Sequence, residues 1–218
     1  MVAYDQGRHG EFSMARDTGS IVKMSRREGY ALHPKAHKAL VKRATPPGQH
    51  GRSRQAKQSQ YALQLREKQK VKRLYGLLER QFRKLMKEAS AAKGQSGEAL
   101  LMFLERRADN VVYRSGFAVS RRAARQLVTH GHFTLNGTRV DIPSIRVKEG
   151  DVLKVRDHSK NTEYFKKLDE VSPGGQESAV SWLKVDRKKF EITVTGLPKR
   201  DEAEPDINEQ LIVEYYSR

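Results

Sequence analysis

Cysteine is absent from the 218 residues of this sequence, which excludes disulfide bonds and thiolate metal ligands and fits a reducing compartment. Long apolar runs are missing as well. The longest obvious one covers residues 99–104, whereas a transmembrane helix needs about 18 apolar residues or more. Residues 1–13 contain no apolar stretch behind a basic start, so no secretory signal is predicted. We expect a cytoplasmic protein without a membrane partner.

Acidic residues are scarce relative to basic ones. Lysine and arginine number 43 against 26 aspartate and glutamate residues, for a formal net charge of +17. The net charge is +14 over residues 1–100, +6 over residues 101–166 and −3 over residues 167–218. An electrostatic field from this much positive charge favours a polyanionic partner, because it increases both the affinity and the rate of association. The first three quarters of the chain are therefore expected to meet that partner.

Residues 1–58 are basic and interrupted by glycine and proline, which predicts an irregular N-terminal arm. Such a segment cannot bury a core alone, so we expect it to become ordered on RNA, with a flexible tail as the alternative. Within it, Pro46-Pro47-Gly48-Gln49-His50-Gly51 fixes φ at the prolines and frees it at the glycines. This pattern predicts either a tight turn that exposes backbone N–H groups to phosphate or an ordinary loop.

Helical periodicity follows the arm and predicts a helical domain over residues 59–98. Ser59 is the expected N-cap of a first helix to about Tyr75, and Gly76 precedes a second helix to about Ala92. In the second helix one face is apolar and the opposite face is basic. The first helix contains a single acid among many cations, which favours a nucleic acid over plain solvent as its neighbour.

Residues 99–166 predict a second unit with two helices and a small antiparallel sheet. A third helix carries an apolar stripe and stops at Gly116. Ser120 is the expected cap of a short fourth helix, which ends at Gly131. The Asn136-Gly137 pair between alternating residues is the strongest short signal for a β-hairpin.

Further alternation at residues 145–147 and 153–155 completes the predicted sheet. The tail, residues 167–218, is acidic and is expected to pack back on the helical domain. It contains strand-like segments within residues 182–194 and a last helix for which Asp206 is the expected cap.

Two groups of motifs resemble known sequences. Residues 104–114, 120–128 and the Asn136-Gly137 pair resemble the S-four RNA-binding module. The second group comprises Met14-Ala15-Arg16, Ser25-Arg26-Arg27, residues 46–51, Gln64-Leu65-Arg66-Glu67-Lys68-Gln69-Lys70, Tyr75-Gly76, Glu79-Arg80-Gln81-Phe82-Arg83 and residues 207–214. In this order, from residue 14 to residue 218, the motifs resemble the family of bacterial-type small-subunit ribosomal protein number four.

The resemblance implies an α+β fold, with a mainly α-helical domain, an extended basic N-terminal arm and an inserted S-four domain in which two helices pack on a small antiparallel sheet. Many members of the family carry a four-cysteine zinc knuckle, so this cysteine-free chain resembles the zinc-free form. Residues 1–13 precede the usual start at Met14 and are either a true extension or the product of an early start codon.

The resemblance also implies a structural constituent of the ribosome with no enzyme activity and no cofactor. Such a protein binds a helical junction in the 5′ domain of small-subunit ribosomal RNA, starts subunit assembly and contributes to decoding accuracy. Its implied partners are ribosomal protein five, other small-subunit proteins and messenger RNA near the channel through which it enters; no small-molecule substrate is expected. The ribosome that it joins is cytoplasmic or belongs to an organelle.

Residues on the basic faces and in the family's motifs are expected to contact ribosomal RNA. In the fourth helix, Arg121, Arg122 and Arg125 are expected to cluster outward and grip phosphates. The complete set is Arg16, Lys23, Arg26, Arg27, Lys42, Arg43, Gly48, Gln49, His50, Gly51, Arg52, Arg54, Lys68, Lys70, Lys72, Arg73, Arg80, Arg83, Lys84, Arg107, Asn110, Arg114, Arg121, Arg122, Arg125, Gln126, His130 and Asn136. An acidic patch for ribosomal protein five comprises Asp201, Glu202, Glu204 and Asp206.

Other functions stay open at this point. The protein could regulate its own messenger, or be a fragment of an RNA-modifying enzyme or synthetase, since residues 23–27 are one substitution from a synthetase signature loop. His33, His37 and His50 could hold zinc, although no carboxylate lies near them in the sequence. The helices around Gly116 could form a DNA-binding helix-turn-helix, but their arginines suit phosphates better than base edges.

Overall fold

The computed structural model describes residues 18–53, 57–172 and 180–217. In this part of the chain the helices are α1 (Ile21–Glu28), α2 (Pro34–Lys42), α3 (Gln60–Leu74), α4 (Glu79–Ala91), α5 (Ser96–Glu105), α6 (Ala108–Arg114), α7 (Arg121–Thr129), α8 (Asp157–Lys160), α9 (Glu163–Lys166), α10 (Leu168–Val171) and α11 (Glu209–Tyr216). The strands are β1 (Phe133–Leu135), β2 (Thr138–Val140), β3 (Val152–Val155), β4 (Leu183–Asp186) and β5 (Glu191–Val194). Short 3-10 helices cover Gln49–Arg52 and Arg200–Glu202.

The N-terminal arm differs from the irregular segment that the sequence predicted, because residues 21–42 form α1 and α2. Gly29 ends α1 in the left-handed conformation, at φ 65°, which glycine adopts without steric cost. The His33 side chain caps α2 by accepting from the Lys35 backbone N–H at 3.0 Å. Leu32 joins the helical core, so tertiary contact stabilises two helices that are short by themselves.

The helices predicted after Ser59 and Gly76 are confirmed. The Ser59 hydroxyl caps α3 by accepting from the Ala62 backbone N–H at 3.2 Å. In α4, Phe82 and its apolar neighbours on the same face are buried. Together with α1, α2, α5 and α11, these helices form the helical lobe.

The predicted third helix is interrupted, which the sequence did not indicate. Arg107 is extended, with φ −66° and ψ 139°, and separates α5 from α6. It forms an isolated antiparallel bridge with Arg146, and the Ala108 backbone N–H donates to the Ile145 carbonyl oxygen at 2.8 Å. The strand predicted at residues 145–147 is therefore reduced to one bridge. Hydrogen bonds between residues 106–109 and residues 143–147 replace those that a continuous helix would make within itself.

The remaining strands build one antiparallel sheet in the order β2-β1-β3-β5-β4. Asn136 and Gly137 turn the β1–β2 hairpin with φ values of 50° and 84°, as the sequence predicted. The sheet, α6 and α7 form the sheet lobe, whose core includes Val111, Phe117 and Phe133. The predicted α+β fold is confirmed.

The acidic tail is divided between the two lobes. Strands β4 and β5 extend the sheet through pairing of β5 with β3, and Trp182 joins the sheet core. The end of the tail packs on the helical lobe, where Ile212 is fully buried. The cap of α11 is Asn208 rather than Asp206, because the Asn208 side chain accepts from the Leu211 backbone N–H at 3.4 Å.

Candidate nucleic-acid interface

A basic cleft opens between α1 and the loop that follows α2. Its volume is about 600 Å³, and it is lined by Arg26, Lys42, Arg43, Ala44, Thr45, Pro46, Gly48 and Gln49. These described lining residues include three cations and no carboxylate. Arg26 donates to the Thr45 carbonyl oxygen at 3.0 Å and to the Pro46 carbonyl oxygen at 3.2 Å, which fixes the loop against α1. We call this site the Arg26 cleft.

The wall of the Arg26 cleft is the predicted tight turn. Gly48 has φ 105°, a conformation that favours glycine, and its carbonyl oxygen accepts from the Gly51 backbone N–H at 3.2 Å. A Cβ atom at Gly51 would overlap the Pro46 carbonyl oxygen, so the close approach of the two backbone segments requires glycine there. The turn is thus present, and its contact with phosphate stays a prediction.

Helix α4 presents a basic surface on the side opposite its buried residues. The α4 face consists of the exposed Arg80, Arg83, Lys84 and Lys87. The amphipathic pattern of the sequence predicted this division, because residues three and four positions apart lie on the same side of a helix. A row of exposed cations with this spacing can follow a phosphate backbone.

Helix α3 differs from the predicted nucleic-acid face, because its lysines are paired within the protein. Lys68 is 3% exposed and donates to Glu79 at 3.0 Å, with its ammonium 4.6 Å from the centre of the Tyr215 ring. Lys72 donates to the same carboxylate at 3.0 Å. Burial would raise the pKa of Glu79, but these two ammonium groups and the Tyr216 hydroxyl lower it to about 2. Their placement corrects the expectation that Lys68 and Lys72 line the RNA surface.

Two other predicted cations of α3 are also neutralised from elsewhere in the helical lobe. Arg73 pairs with Glu28, whose side chain is fully buried. Lys70 pairs with Glu67 at 2.8 Å and donates to the Asp206 carbonyl oxygen at 2.6 Å. These contacts turn the charged side of α3 towards α1 and the tail rather than outward.

Three predicted RNA contacts at the start of the sheet lobe are internal. Arg107 is 4% exposed and makes a two-point contact with the Asp109 carboxylate at 3.0 and 2.7 Å. Arg114 holds the buried Glu105 carboxylate in the same way, at 3.0 and 2.9 Å. Asn110 is 2% exposed and donates to Glu105 at 2.7 Å. Buried charges need such partners, so these residues have structural roles.

Arg121 is turned inward, which corrects the prediction that it shares an outer face with Arg122 and Arg125. Its guanidinium lies between the rings of Tyr75 and Tyr113, 4.9 and 4.5 Å from their centres. It donates to Asn110 at 2.9 Å and to Glu204 at 2.7 Å. Both rings therefore stack on a cation inside the protein.

The exposed side of α7 is formed by other residues. The α7 face consists of Arg122, Gln126 and His130, all of which are exposed. Arg125 is half-buried and lies 3.6 Å from Asp109. Asn136 is exposed in the hairpin, where its side chain accepts from the Val152 backbone N–H at 2.9 Å and donates to Asp151 at 2.8 Å. Its first role is therefore to join the hairpin to β3.

The predicted acidic patch divides into exposed and internal residues. Asp201 and Asp206 are exposed. Glu202 accepts from the Ser181 backbone N–H at 3.0 Å. Glu204 corrects the prediction of a partner-facing acid, because it pairs with Arg121 inside the protein and is only 17% exposed at its side chain.

Other predicted RNA contacts are exposed or fall outside the described structure, and their contact with RNA stays a prediction. Lys23, Arg27, Gln49 and His50 are exposed around α1 and the turn. Arg16 and Arg54 lie outside the described residues, as does the side chain of Arg52. Lys35 and Lys38, which were not among the predicted RNA contacts, are also exposed on α2. Lys38 lies one turn before Lys42, so the helical period after Pro34 was the signal that would have found it.

The described residues contain neither a membrane-spanning helix nor a cluster of metal-binding side chains. Among the described residues, no helix is long and apolar enough to cross a membrane. In the same part of the chain, no group of three or more histidine, aspartate, glutamate or cysteine side chains is arranged to hold a metal ion.

Two family models match consecutive parts of the chain. The family model described as the ribosomal protein S4/S9 N-terminal domain matches residues 16–105, and the S4 domain model matches residues 106–153. The boundary falls at the break between α5 and α6. These matches define the class as a ribosomal protein that carries an S4 domain.

Similar proteins identify the family. The chain is 53% identical over 211 residues to small ribosomal subunit protein uS4 of Herpetosiphon aurantiacus, and 51% identical over 211 residues to uS4A of Symbiobacterium thermophilum. It is 50% identical over 205 residues to uS4 of Chlorobium limicola. Each match covers 94% of this chain and the full length of the relative. The chain belongs to the uS4 family of small ribosomal subunit proteins, which confirms the predicted ribosomal class over the enzyme alternative.

Proposed function

We propose that this protein is a structural constituent of the ribosome that binds small-subunit ribosomal RNA through three exposed surfaces. These are the Arg26 cleft, the α4 face and the α7 face. The Arg26 cleft carries the proposal, because it brings Arg26 of α1 together with Lys42 and Arg43 at the end of α2, without an acid among its described lining residues. A concentration of cations around a cleft fits a phosphate backbone that bends into it.

The contacts expected on these surfaces position RNA by its shape and charge. Arginine binds phosphate oxygens through two parallel N–H groups, whereas lysine acts as a point charge. Structured RNA is recognised largely through its backbone and its shape, because the deep major groove of an RNA helix is closed to side chains. Binding needs no cofactor and no chemical step in this scheme.

The family and the distribution of charge suggest which RNA site and which protein this chain contacts in the ribosome. We propose that the N-terminal arm and the helical lobe form one RNA-binding unit and the sheet lobe another, both seated at a helical junction in the 5′ domain to start subunit assembly. The exposed Asp201 and Asp206 of residues 167–218 would face ribosomal protein five and thereby contribute to decoding accuracy. Messenger RNA would pass near the basic surfaces, and the ribosome would be cytoplasmic.

The salt dependence of RNA binding tests the proposal. If about 6 to 10 phosphates are contacted, a plot of log affinity against log salt concentration has a slope of about −4 to −9. The measurement is a titration of a 5′-domain ribosomal RNA fragment at several potassium chloride concentrations. A slope shallower than about −2 would contradict the proposal, because phosphate neutralisation would then contribute little.

A further inference from the structure

Glu204 joins the segments that carry the Arg26 cleft and the α7 face. Its carboxylate accepts from Arg121 at 2.7 Å and from the Tyr30 hydroxyl at 3.2 Å, and lies 3.4 Å from Arg114. Burial would raise the pKa of Glu204, but Arg121 and Arg114 hold it below its usual range, so the group is ionised at neutral pH. Burial and the neighbouring carboxylate raise the pKa of Tyr30 to about 12, which leaves its hydroxyl able to donate.

A second carboxylate extends this contact into a network of two anions and two guanidinium groups. Glu105 accepts from Arg114 and from the Tyr75 hydroxyl, the latter at 2.6 Å. Asn110 bridges the two halves, donating to Glu105 at 2.7 Å and accepting from Arg121 at 2.9 Å. Removing one carboxylate would leave a buried arginine with too few partners, which is costly in a site shielded from water.

The network connects elements that are distant in the sequence. Tyr30 follows α1, which carries Arg26, and Arg121 is the first residue of α7, one position before the exposed Arg122. Glu204 follows the 3-10 helix Arg200–Glu202 in the tail. The Glu204 carboxylate therefore contacts Tyr30, which follows the helix that carries Arg26, and Arg121, which precedes Arg122 of the α7 face.

We infer that Glu204 is a positioning residue, which fixes the α7 face relative to the Arg26 cleft so that both surfaces engage one RNA molecule together. This inference rests on the proposed function. Two linked contacts on one ligand bind more tightly when their spacing is fixed in advance, because the second contact then costs less freedom. Loss of the carboxylate would release the α7 face without removing any cation from either surface.

Whether Glu204→Gln raises or lowers the affinity for RNA distinguishes a positioning role from a purely electrostatic one. Glu204→Gln removes a negative charge from an RNA-binding protein, so charge alone would leave the affinity unchanged or raise it. Positioning predicts the opposite, a loss of about tenfold as the two surfaces bind less cooperatively. Glu149→Gln is the matched control, because it removes the same charge from an exposed turn of the sheet lobe.

The experiment combines RNA titration with a distance measurement on the full chain. Affinities of wild type, Glu204→Gln and Glu149→Gln are measured for a 5′-domain ribosomal RNA fragment at one salt concentration. Because the chain has no native cysteine, Lys38→Cys on α2 and Thr129→Cys on α7 allow spin labels to be placed uniquely. Glu204→Gln is expected to broaden the distance distribution between the labels in the absence of RNA, whereas Glu149→Gln leaves it narrow.

The inference is overturned if Glu204→Gln binds as tightly as Glu149→Gln and keeps the narrow distribution. If Glu204→Gln does not fold, Tyr30→Phe decides, since it removes a single hydrogen bond to the same carboxylate. We expect Tyr30→Phe to bind about threefold more weakly, and affinity equal to wild type would reject the inference. If wild type itself fails to bind the fragment, the proposed function is wrong, while the distance measurement still tests the role of Glu204 within the protein.

Discussion

A variant in which Arg26, Lys42 and Arg43 are all replaced by alanine binds small-subunit ribosomal RNA about 100-fold more weakly than wild type, since three solvent-accessible contacts at about 1 kcal/mol each sum to about 3 kcal/mol. The salt slope should also become shallower by about 2 to 3, because each phosphate contact contributes about 0.7 to 0.9. A filter-binding or fluorescence titration at several salt concentrations measures both quantities. The two effects together distinguish lost phosphate contacts from a general loss of folded protein.

The control for this variant removes three positive charges from another part of the surface. Lys166, Lys184 and Lys188 are exposed and lie outside the three surfaces proposed to bind RNA. Their joint replacement by alanine should weaken RNA binding by about threefold or less, because distant charges are screened over about 10 Å at ordinary ionic strength. Equal losses in the two variants would mean that only net charge matters, and the Arg26 cleft would lose its role.

The second large effect concerns the core of the sheet lobe. Phe117 is fully buried and packs edge-on against Phe133, with 6.3 Å between ring centres. Phe117→Ala should lower the free energy of unfolding by about 3 to 5 kcal/mol, because it removes a large apolar side chain and leaves a cavity. Urea denaturation followed by circular dichroism measures the change.

Two other alanine substitutions in the sheet lobe serve as comparisons for the loss of stability in Phe117→Ala. Val119→Ala, at a side chain that is 44% exposed, should change the free energy of unfolding by less than about 0.5 kcal/mol. Leu127→Ala should lie between the two, since Leu127 is half-buried against the same core. If Val119→Ala cost as much as Phe117→Ala, the assignment of the core would be wrong.

Local signals in the sequence predicted much of this fold. Ser59 and Ser120 cap the helices that follow them, and the Asn136-Gly137 turn closes the expected hairpin. Each of these features depends on residues within a few positions of one another, where capping and turn chemistry act. The amphipathic pattern of α4 was sufficient to predict its exposed basic face for the same reason.

The interior cations could not be predicted, because their partners are remote in the sequence. Arg121 meets Glu204, 83 positions away, and Arg73 meets Glu28, 45 positions away. The charge of the tail led to the prediction that Glu204 faces a protein partner, whereas Glu204 neutralises the inward-facing Arg121. The break at Arg107 was equally hidden, because its hydrogen bonds go to residues 143–147, some 40 positions later.

Competition between nucleic acids tests the RNA-binding proposal most directly. A labelled 5′-domain fragment of small-subunit ribosomal RNA is bound to the full chain at physiological salt, then displaced by the unlabelled fragment or by duplex DNA with the same number of phosphates. We expect the unlabelled RNA to displace the label at a concentration about 1,000-fold lower than the DNA, a usual ratio of specific to non-specific binding. Displacement by both at equal concentrations would mean that the basic surfaces bind any polyanion, and would contradict a specific role in binding ribosomal RNA.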